Sequence, residues 1–294
     1  MRVRKAVIPA AGLGTRLLPA SKSMPKEMIT LVDRPGIQYV VEECARAGIR
    51  DVLVVTGRGK ATMEDHFDRA LELEERLEKS GKREELEEVR AVAEIANVHY
   101  VRQKEALGLG HAVAAGRSFV GDEPFAVLLP DEIVPPPLDG EPPLLERMMD
   151  VHERDGVGVV AVRRVPEDRV SAYGIAAPAG EVRDDFVPIS DLVEKPAAAD
   201  APSDLAAVGR YVLTPEVFDA LDAASPTVGG EIQLADGIRA LIDSPGVHAY
   251  VHRGPIYDVG KKLDYVKGSI QLALRRDDVG PELRAWLREV LAES

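Results

Sequence analysis

The residues best suited to chemistry lie near the N-terminus. Ala11-Gly12-Leu13-Gly14 runs directly into Thr15-Arg16, and Lys22 and Lys26 follow shortly after. A glycine turn leaves backbone N–H groups able to approach an anion, and the cations beyond it carry the matching charge. The turn fits neither of the better-known phosphate loops. A dinucleotide fingerprint built on Gly12 and Gly14 requires glycine at position 17, where Leu17 stands. A P-loop requires glycine five residues ahead of its Gly-Lys-Ser/Thr, and Val54 occupies that place before Gly59-Lys60-Ala61. What remains is an apolar strand, a turn open to phosphate, and positive side chains beyond it.

Other polar residues are weaker signals taken singly. Asp131 closes the apolar run FAVLL, where it suits a turn or a helix cap as well as a ligand. Asp258 lies far along the chain in Tyr257-Asp258-Val259-Gly260, and spacing alone cannot bring it to Asp131. Lys195, ahead of Pro196, reads by itself as a surface lysine before a turn. The six histidines form no paired ligand spacing, His111 reads as structural, and zinc is not expected. Cys44 recurs with Ile37, Val40, Val41 and Ala45 at helical spacing and reads as a small core residue.

Charge agrees with a local anion site. The 294 residues carry a net charge of −13, with +6 on residues 1–60 and −19 on the remainder. That overall sign disfavours general nucleic-acid binding. The single cysteine excludes an internal disulfide framework. No apolar run approaches the ~20 residues of a membrane helix. The short apolar run after Met1–Lys5 meets Pro9 before it could serve as a signal core, so a soluble, cytoplasmic protein is expected.

The elements that must position these residues alternate between strands and helices. Strands are predicted at Ala6–Ile8, Asp51–Thr56, Val98–Val101 and Phe125–Leu129, with a helix over about Leu109–Arg117. Apolar strands alternating with helices imply an α/β fold with a largely parallel sheet. From about 60 to 96 the texture becomes highly charged, which predicts an inserted, solvated pair of helices broken near Ser80-Gly81. The second half, at 156–165, 171–177, 189–193 and 206–213, is strand-rich and is expected to extend the sheet and add a smaller one.

GLGTRLLP followed by PKEM resembles the signature of the sugar nucleotidyltransferases, the pyrophosphorylases that make nucleoside diphosphate sugars. Further segments carry the resemblance from Lys5 to about Leu274: IQYVVEE (37–43), EDHFD (64–68), QKEALGLGHAV (103–113), FAVLLPDE (125–132) and VEKP (193–196). VGRYVLTPEVFD (208–219), GEIQLADGI (230–238) and YDVGKKLDYVKGSIQLAL (257–274) complete it. The charged insertion and the GLGHAV segment favour the uridylyl-transferring branch over the thymidylyl-transferring one.

The resemblance implies a Rossmann-like, mixed but mainly parallel sheet of the nucleotide-diphospho-sugar transferase type. A nucleotidyltransferase domain would span 1–275, with a C-terminal helical extension at 276–294. Arg16 and Lys26 would hold the triphosphate, with Ala11, Gly12, Gly14 and Thr15 forming the turn around it. Gln103 and the Gly108 backbone would meet the base, with Glu27 near its edge. Lys195 would take the phosphate of the sugar 1-phosphate, Glu194 the sugar hydroxyls, and Gly174 would let backbone approach the sugar. Asp131 and Asp258 would grip one Mg²⁺. Expected substrates are UTP and glucose 1-phosphate, and the expected assembly is a homo-oligomer, dimer or tetramer. Thymidylyl transfer and a nucleotide-sugar-binding regulator without turnover are the alternatives. The apolar stripe Leu283, Trp286, Leu287, Val290 and Leu291 is read equally as docking on its own domain or as a subunit contact.

Overall fold

Runs rich in valine and isoleucine form the strands, because β-branched side chains pack well on a pleated surface buried on both faces. The computed structural model describes residues 1–137, 141–226 and 230–293. Its strands are β1 (Lys5–Ala10), β2 (Thr30–Leu31), β3 (Arg34–Pro35), β4 (Asp51–Thr56), β5 (Asn97–Arg102), β6 (Phe125–Leu128) and β7 (Glu132–Ile133). They continue with β8 (Gly158–Arg164), β9 (Gly174–Pro178), β10 (Phe186–Glu194), β11 (Leu205–Leu213), β12 (Val247–Val251) and β13 (Tyr257–Asp258).

Nine strands form one sheet in the order β5-β4-β1-β6-β11-β8-β12-β10-β9. The pairings make only β10 and β11 run against the others, so the sheet is mixed and mainly parallel in strand direction. The strand-rich second half extends this sheet. The small additions are two-stranded ribbons, β2–β3 and β7–β13. β9 pairs with β11 as well as β10, through Ala206↔Ile175, which curls the far edge of the sheet back on itself.

Alternation along the strands builds two cores. Ala6, Ile8 and Ala10 of β1 face one cluster, where α1 (Gly36–Arg46) supplies Val40, Val41 and Cys44 and α2 (Ala61–Phe67) supplies Met63 and Phe67. Val7 faces the other cluster, with Val113 of the helix Leu109–Ala114 and Phe218 of the helix Val217–Ala223.

Three expectations need correction. The helix over 109–117 is two pieces, Leu109–Ala114 and Arg117–Val120, broken at Gly116, where a Cβ would stand 3.1 Å from Val7 Cγ2. The charged insertion does contain the paired helices Leu71–Lys79 and Arg83–Ala93 on either side of Ser80-Gly81. Its first residues do not belong with them: Lys60, Met63 and Phe67 are buried in the body of the protein. The arm is also not wholly solvated. Glu74 is buried and accepts from Arg69 and Arg90, which hold its carboxyl down at about 2. Along the C-terminal helix Gly280–Glu293, Trp286, Val290 and Leu291 of the stripe are exposed and Leu283 and Leu287 half-buried.

Candidate active site

β1 leads to β4 on one side and lies beside β6 on the other, so the crevice beyond these strand ends is a topological switch point. The glycine turn leaves β1 at this crevice, and Asp131 leaves β6 on its opposite wall. Gly14 has φ +67°, and a Cβ there would press within 3.0 Å of Lys26 Cβ. Glycine therefore lets the turn bend and the Lys26 stem lie across it. Thr15 opens the short helical turn Thr15–Leu17 that carries Arg16.

The β7–β13 ribbon unites the two distant carboxylates. Asp258 stands opposite Glu132, and the Val259 N–H donates to the Asp131 carbonyl at 2.8 Å. One guanidinium then spans both: Arg16 Nη2 donates to Asp131 Oδ2 and Nη1 to Asp258 Oδ2, each at 3.1 Å. Lys26 Nζ donates to Asp131 Oδ2 at 2.6 Å, and Lys261 Nζ lies 3.0 Å from Asp258 Oδ2. Burial would raise the Asp131 carboxyl, but Lys26 and Arg16 outweigh it and hold it below the ordinary carboxylate range. Beside it, burial pushes the Glu132 carboxyl up, against the Gly209 N–H that donates to it at 2.9 Å.

Convergence of two carboxylates on one cation is the observation that tests a metal reading. The donors are hard oxygens, and no group of three or more potential ligands exists among the described residues. Two protein carboxylates with phosphate oxygens and water completing the shell suit Mg²⁺. The residues fit that ion.

Lys60 is a residue of this cleft that sequence reasoning missed. Its ammonium donates to the Ala10 carbonyl, to the Gly12 carbonyl at 2.8 Å and to Glu27 Oε2 at 2.9 Å. It ties the glycine turn to the segment bearing Lys26. Burial lowers its pKa, and the Glu27 carboxylate works against that fall. Glu27 Oε1 is buried without a partner. The only sequence signal was the Gly59-Lys60 pair, which fails as a P-loop.

Beyond the ends of β4 and β5, the Gln103 N–H donates to the Thr56 carbonyl at 3.0 Å. Gln103 Nε2 donates to the Gly108 carbonyl at 3.1 Å and lies 3.0 Å from His111 Nδ1. His111 is structural in this sense. Gly108 has φ +99°, and a Cβ would stand 2.8 Å from the Ile232 carbonyl oxygen.

At the far edge of the sheet, Gly174 pairs with Glu194 across β9–β10, and the space above Gly174 is taken by Glu194 Oε2, 3.2 Å from a built Cβ. The glycine thus admits a carboxylate over the strand. Lys195 holds a left-handed backbone, φ +46°, with its N–H donated to the Tyr173 carbonyl at 3.0 Å. Its ammonium is exposed and lies 3.4 Å from Glu194 Oε1.

Such a cleft, with cations and paired carboxylates at a switch point and a neutral amide beyond, is that of a nucleotide-handling transferase. The chain belongs to the nucleotidyl transferase family, whose model matches residues 5–274. It is 48% identical over 290 residues to a UTP–glucose-1-phosphate uridylyltransferase of Bacillus subtilis (strain 168), covering 99% of this chain and 96% of that one. A UTP-bound UGPase from Acinetobacter baumannii superposes with a TM-score of 0.89 at 42% identity, covering 98% of this chain and 99% of that one. A UDP-glucose pyrophosphorylase complexed with UDP-glucose superposes at 0.83 with 38% identity, covering 93% and 100%.

Proposed function

We propose that this protein transfers a uridylyl group from UTP to α-D-glucose 1-phosphate, giving UDP-glucose and pyrophosphate. The observation that carries the reading is the Arg16 guanidinium bridging Asp131 and Asp258, with Lys26 and Lys261 on their flanks. Similarity to uridylyltransferases over nearly the whole chain supports the choice of UTP and glucose 1-phosphate.

In this reaction a phosphate oxygen of the sugar phosphate bonds to the α-phosphorus as the bond to the leaving pyrophosphate breaks. Positioning and charge neutralisation do most of the work, because no covalent enzyme intermediate is needed. Arg16 and Lys26 hold the triphosphate and meet the charge that grows on pyrophosphate. Asp131 and Asp258 would hold Mg²⁺, whose charge would neutralise the phosphate oxygens. Lys60 keeps Ala11, Gly12 and Glu27 in register beneath the nucleotide. Glu194 accepts from sugar hydroxyls, and Lys195 is free to swing onto the sugar phosphate.

Uracil presents an N–H beside a C=O, which suits the Gln103 Oε1 acceptor and the Gly108 N–H donor. Thymine has the same edge, so dTTP is excluded only by its methyl and missing 2′-hydroxyl, and a methyl difference is worth only ~1–3 kcal/mol. A pyrophosphate-release assay across UTP, dTTP, ATP and GTP, with and without glucose 1-phosphate, tests the whole reading. Release should require glucose 1-phosphate and be fastest with UTP; equal use of ATP or GTP would defeat it. Gln103→Ala should raise the KM for UTP by about tenfold and narrow its advantage over the purine nucleotides.

We assign residues 1–275 to catalysis and 276–294 to assembly of identical subunits in the cytoplasm. The exposed Trp286, Val290 and Leu291 support this assignment. No helix among the described residues is long and apolar enough to cross a membrane. Deleting 280–294 should lower the mass seen by light scattering while per-site UTP affinity persists. An unchanged mass would remove the assembly role.

A further inference from the structure

Lys261 occupies a position that neither the glycine turn nor the VEKP segment announces. It closes the turn after β13, its N–H donating to the Asp258 carbonyl at 2.9 Å. Its ammonium folds back to bridge Asp258 Oδ2 and the Tyr173 hydroxyl, each at 3.0 Å. Tyr173 is held from the other side by Arg163 Nη2 at 3.2 Å, and its ring lies beneath the Lys261 ammonium at 5.2 Å. Tyr173 in turn adjoins Gly174 and accepts the Lys195 N–H on its carbonyl. Lys261 therefore spans the gap between the carboxylate pair and the sugar side.

Charge is arranged asymmetrically about that pair. Lys26 contacts Asp131, and Lys261 contacts Asp258. Displacement at a phosphorus places the entering and leaving oxygens roughly in line, so the two anionic groups lie on opposite sides of the α-phosphorus. Lys26 stands on the side of the glycine turn, where the triphosphate extends. Lys261 stands on the side of Tyr173, Gly174 and Glu194, where the sugar phosphate must enter. Lys195 carries a largely exposed side chain at 58%, against 37% for Lys261, so it approaches from solvent.

Resting on the uridylyl-transfer reading, we propose that Lys261 binds the attacking phosphate of the sugar 1-phosphate, with the Tyr173 hydroxyl and Arg163 as its positioning partners. Before substrate arrives it neutralises Asp258. The ammonium would reach the sugar phosphate by rotation of its own stem, leaving the Asp258 carboxylate as the residue that would hold Mg²⁺. The same ammonium then meets the β-phosphate of the UDP-glucose product, which derives from the sugar phosphate.

Lys261→Met keeps most of the stem and removes the charge. At saturating Mg²⁺ it should raise the KM for glucose 1-phosphate by about tenfold or more, with the KM for UTP changed less than about twofold. Calorimetric titration with UDP-glucose should show a matching loss of affinity, while UTP titration should be near wild type. Lys261→Arg should recover part of the loss, and melting curves of both variants should overlay the wild type. Unchanged glucose 1-phosphate KM and UDP-glucose affinity would overturn the inference. So would an equal loss toward UTP, or a defect erased by added Mg²⁺, because either would confine Lys261 to the nucleotide or to Asp258. A wild-type protein that turns over none of the four nucleotides with glucose 1-phosphate would remove the underlying function as well. An active wild type beside an indistinguishable Lys261→Met removes only this assignment.

Discussion

Asp131→Asn should lower kcat by about a thousandfold or more, because one charged metal ligand commonly supplies several kcal/mol to a phosphoryl-transfer transition state. Asparagine keeps the shape of the side chain but gives up the charge that Lys26 and Arg16 both contact in the unliganded cleft. Those two cations remain beside the crevice, so UTP binding measured without metal should survive or strengthen. The fold should also survive, since Arg16 is 55% exposed and its charge is not stranded in an apolar interior. Asp258→Asn should behave alike, with the added release of Lys261 from its carboxylate partner. A Mn²⁺ titration followed by electron paramagnetic resonance in the presence of UTP should show weaker metal binding in both variants. Near-native turnover of either variant at limiting Mg²⁺ would defeat the metal assignment.

Arg210→Met should destabilise the protein by about 3–5 kcal/mol, the usual consequence of removing one member of a buried ion pair. Arg210 of β11 is 1% exposed, and all its donor nitrogens are engaged. Nε and Nη2 donate to the Glu43 carboxylate of α1, with the shortest contact 2.8 Å. Nη1 donates to the carbonyls of Leu129 at 3.2 Å and Gly209 at 3.0 Å, and Nη2 donates to the Glu132 carbonyl at 2.7 Å. The guanidinium thus grips the chain on both sides of Asp131. Its removal strands the Glu43 carboxylate and frees the segment that sets the metal ligand.

Calorimetry should register a fall in melting temperature of roughly 10 °C for the Arg210 variant. The folded fraction should also have a reduced kcat, since the turn bearing Asp131 is no longer held. Replacing both partners, as Glu43→Met with Arg210→Met, should recover part of the stability, because no unpaired charge is then left inside. It should not recover kcat, because the Leu129 and Glu132 carbonyls still lack their donor. A single variant as stable as the wild type would show that the pair contributes nothing to the fold.

What was legible in the sequence was whatever leaves a local pattern. β1 and its glycine turn could be read because the apolar run Ala6–Ile8 leads straight toward two closely spaced glycines, and Arg16 and Lys26 follow within a short stretch. α1 was legible from its helical spacing, and the broken arm from Ser80-Gly81. Gln103, Gly108, Gly174, Glu194 and Lys195 came through family resemblance, and their positions at strand ends or, for Gly108, at a helix start are compatible with the roles proposed for them.

Tertiary structure alone decided the rest. The meeting of Asp131 with Asp258 depends on two short strands, β7 and β13, which are too brief to show a period and pair only across the fold. Lys60, Arg210 and Lys261 look like ordinary surface cations in the sequence, because a charged side chain reads as solvated unless its burial and partners are known. Each becomes meaningful through a partner distant in the chain: Glu27 for Lys60, Glu43 for Arg210 and Tyr173 for Lys261. The same holds in reverse for the C-terminal stripe, whose apolar spacing fixes the helix face but not what covers it. Local spacing encodes which face of an element is apolar; only closure of the sheet places charges opposite one another in a cleft where water screens them less.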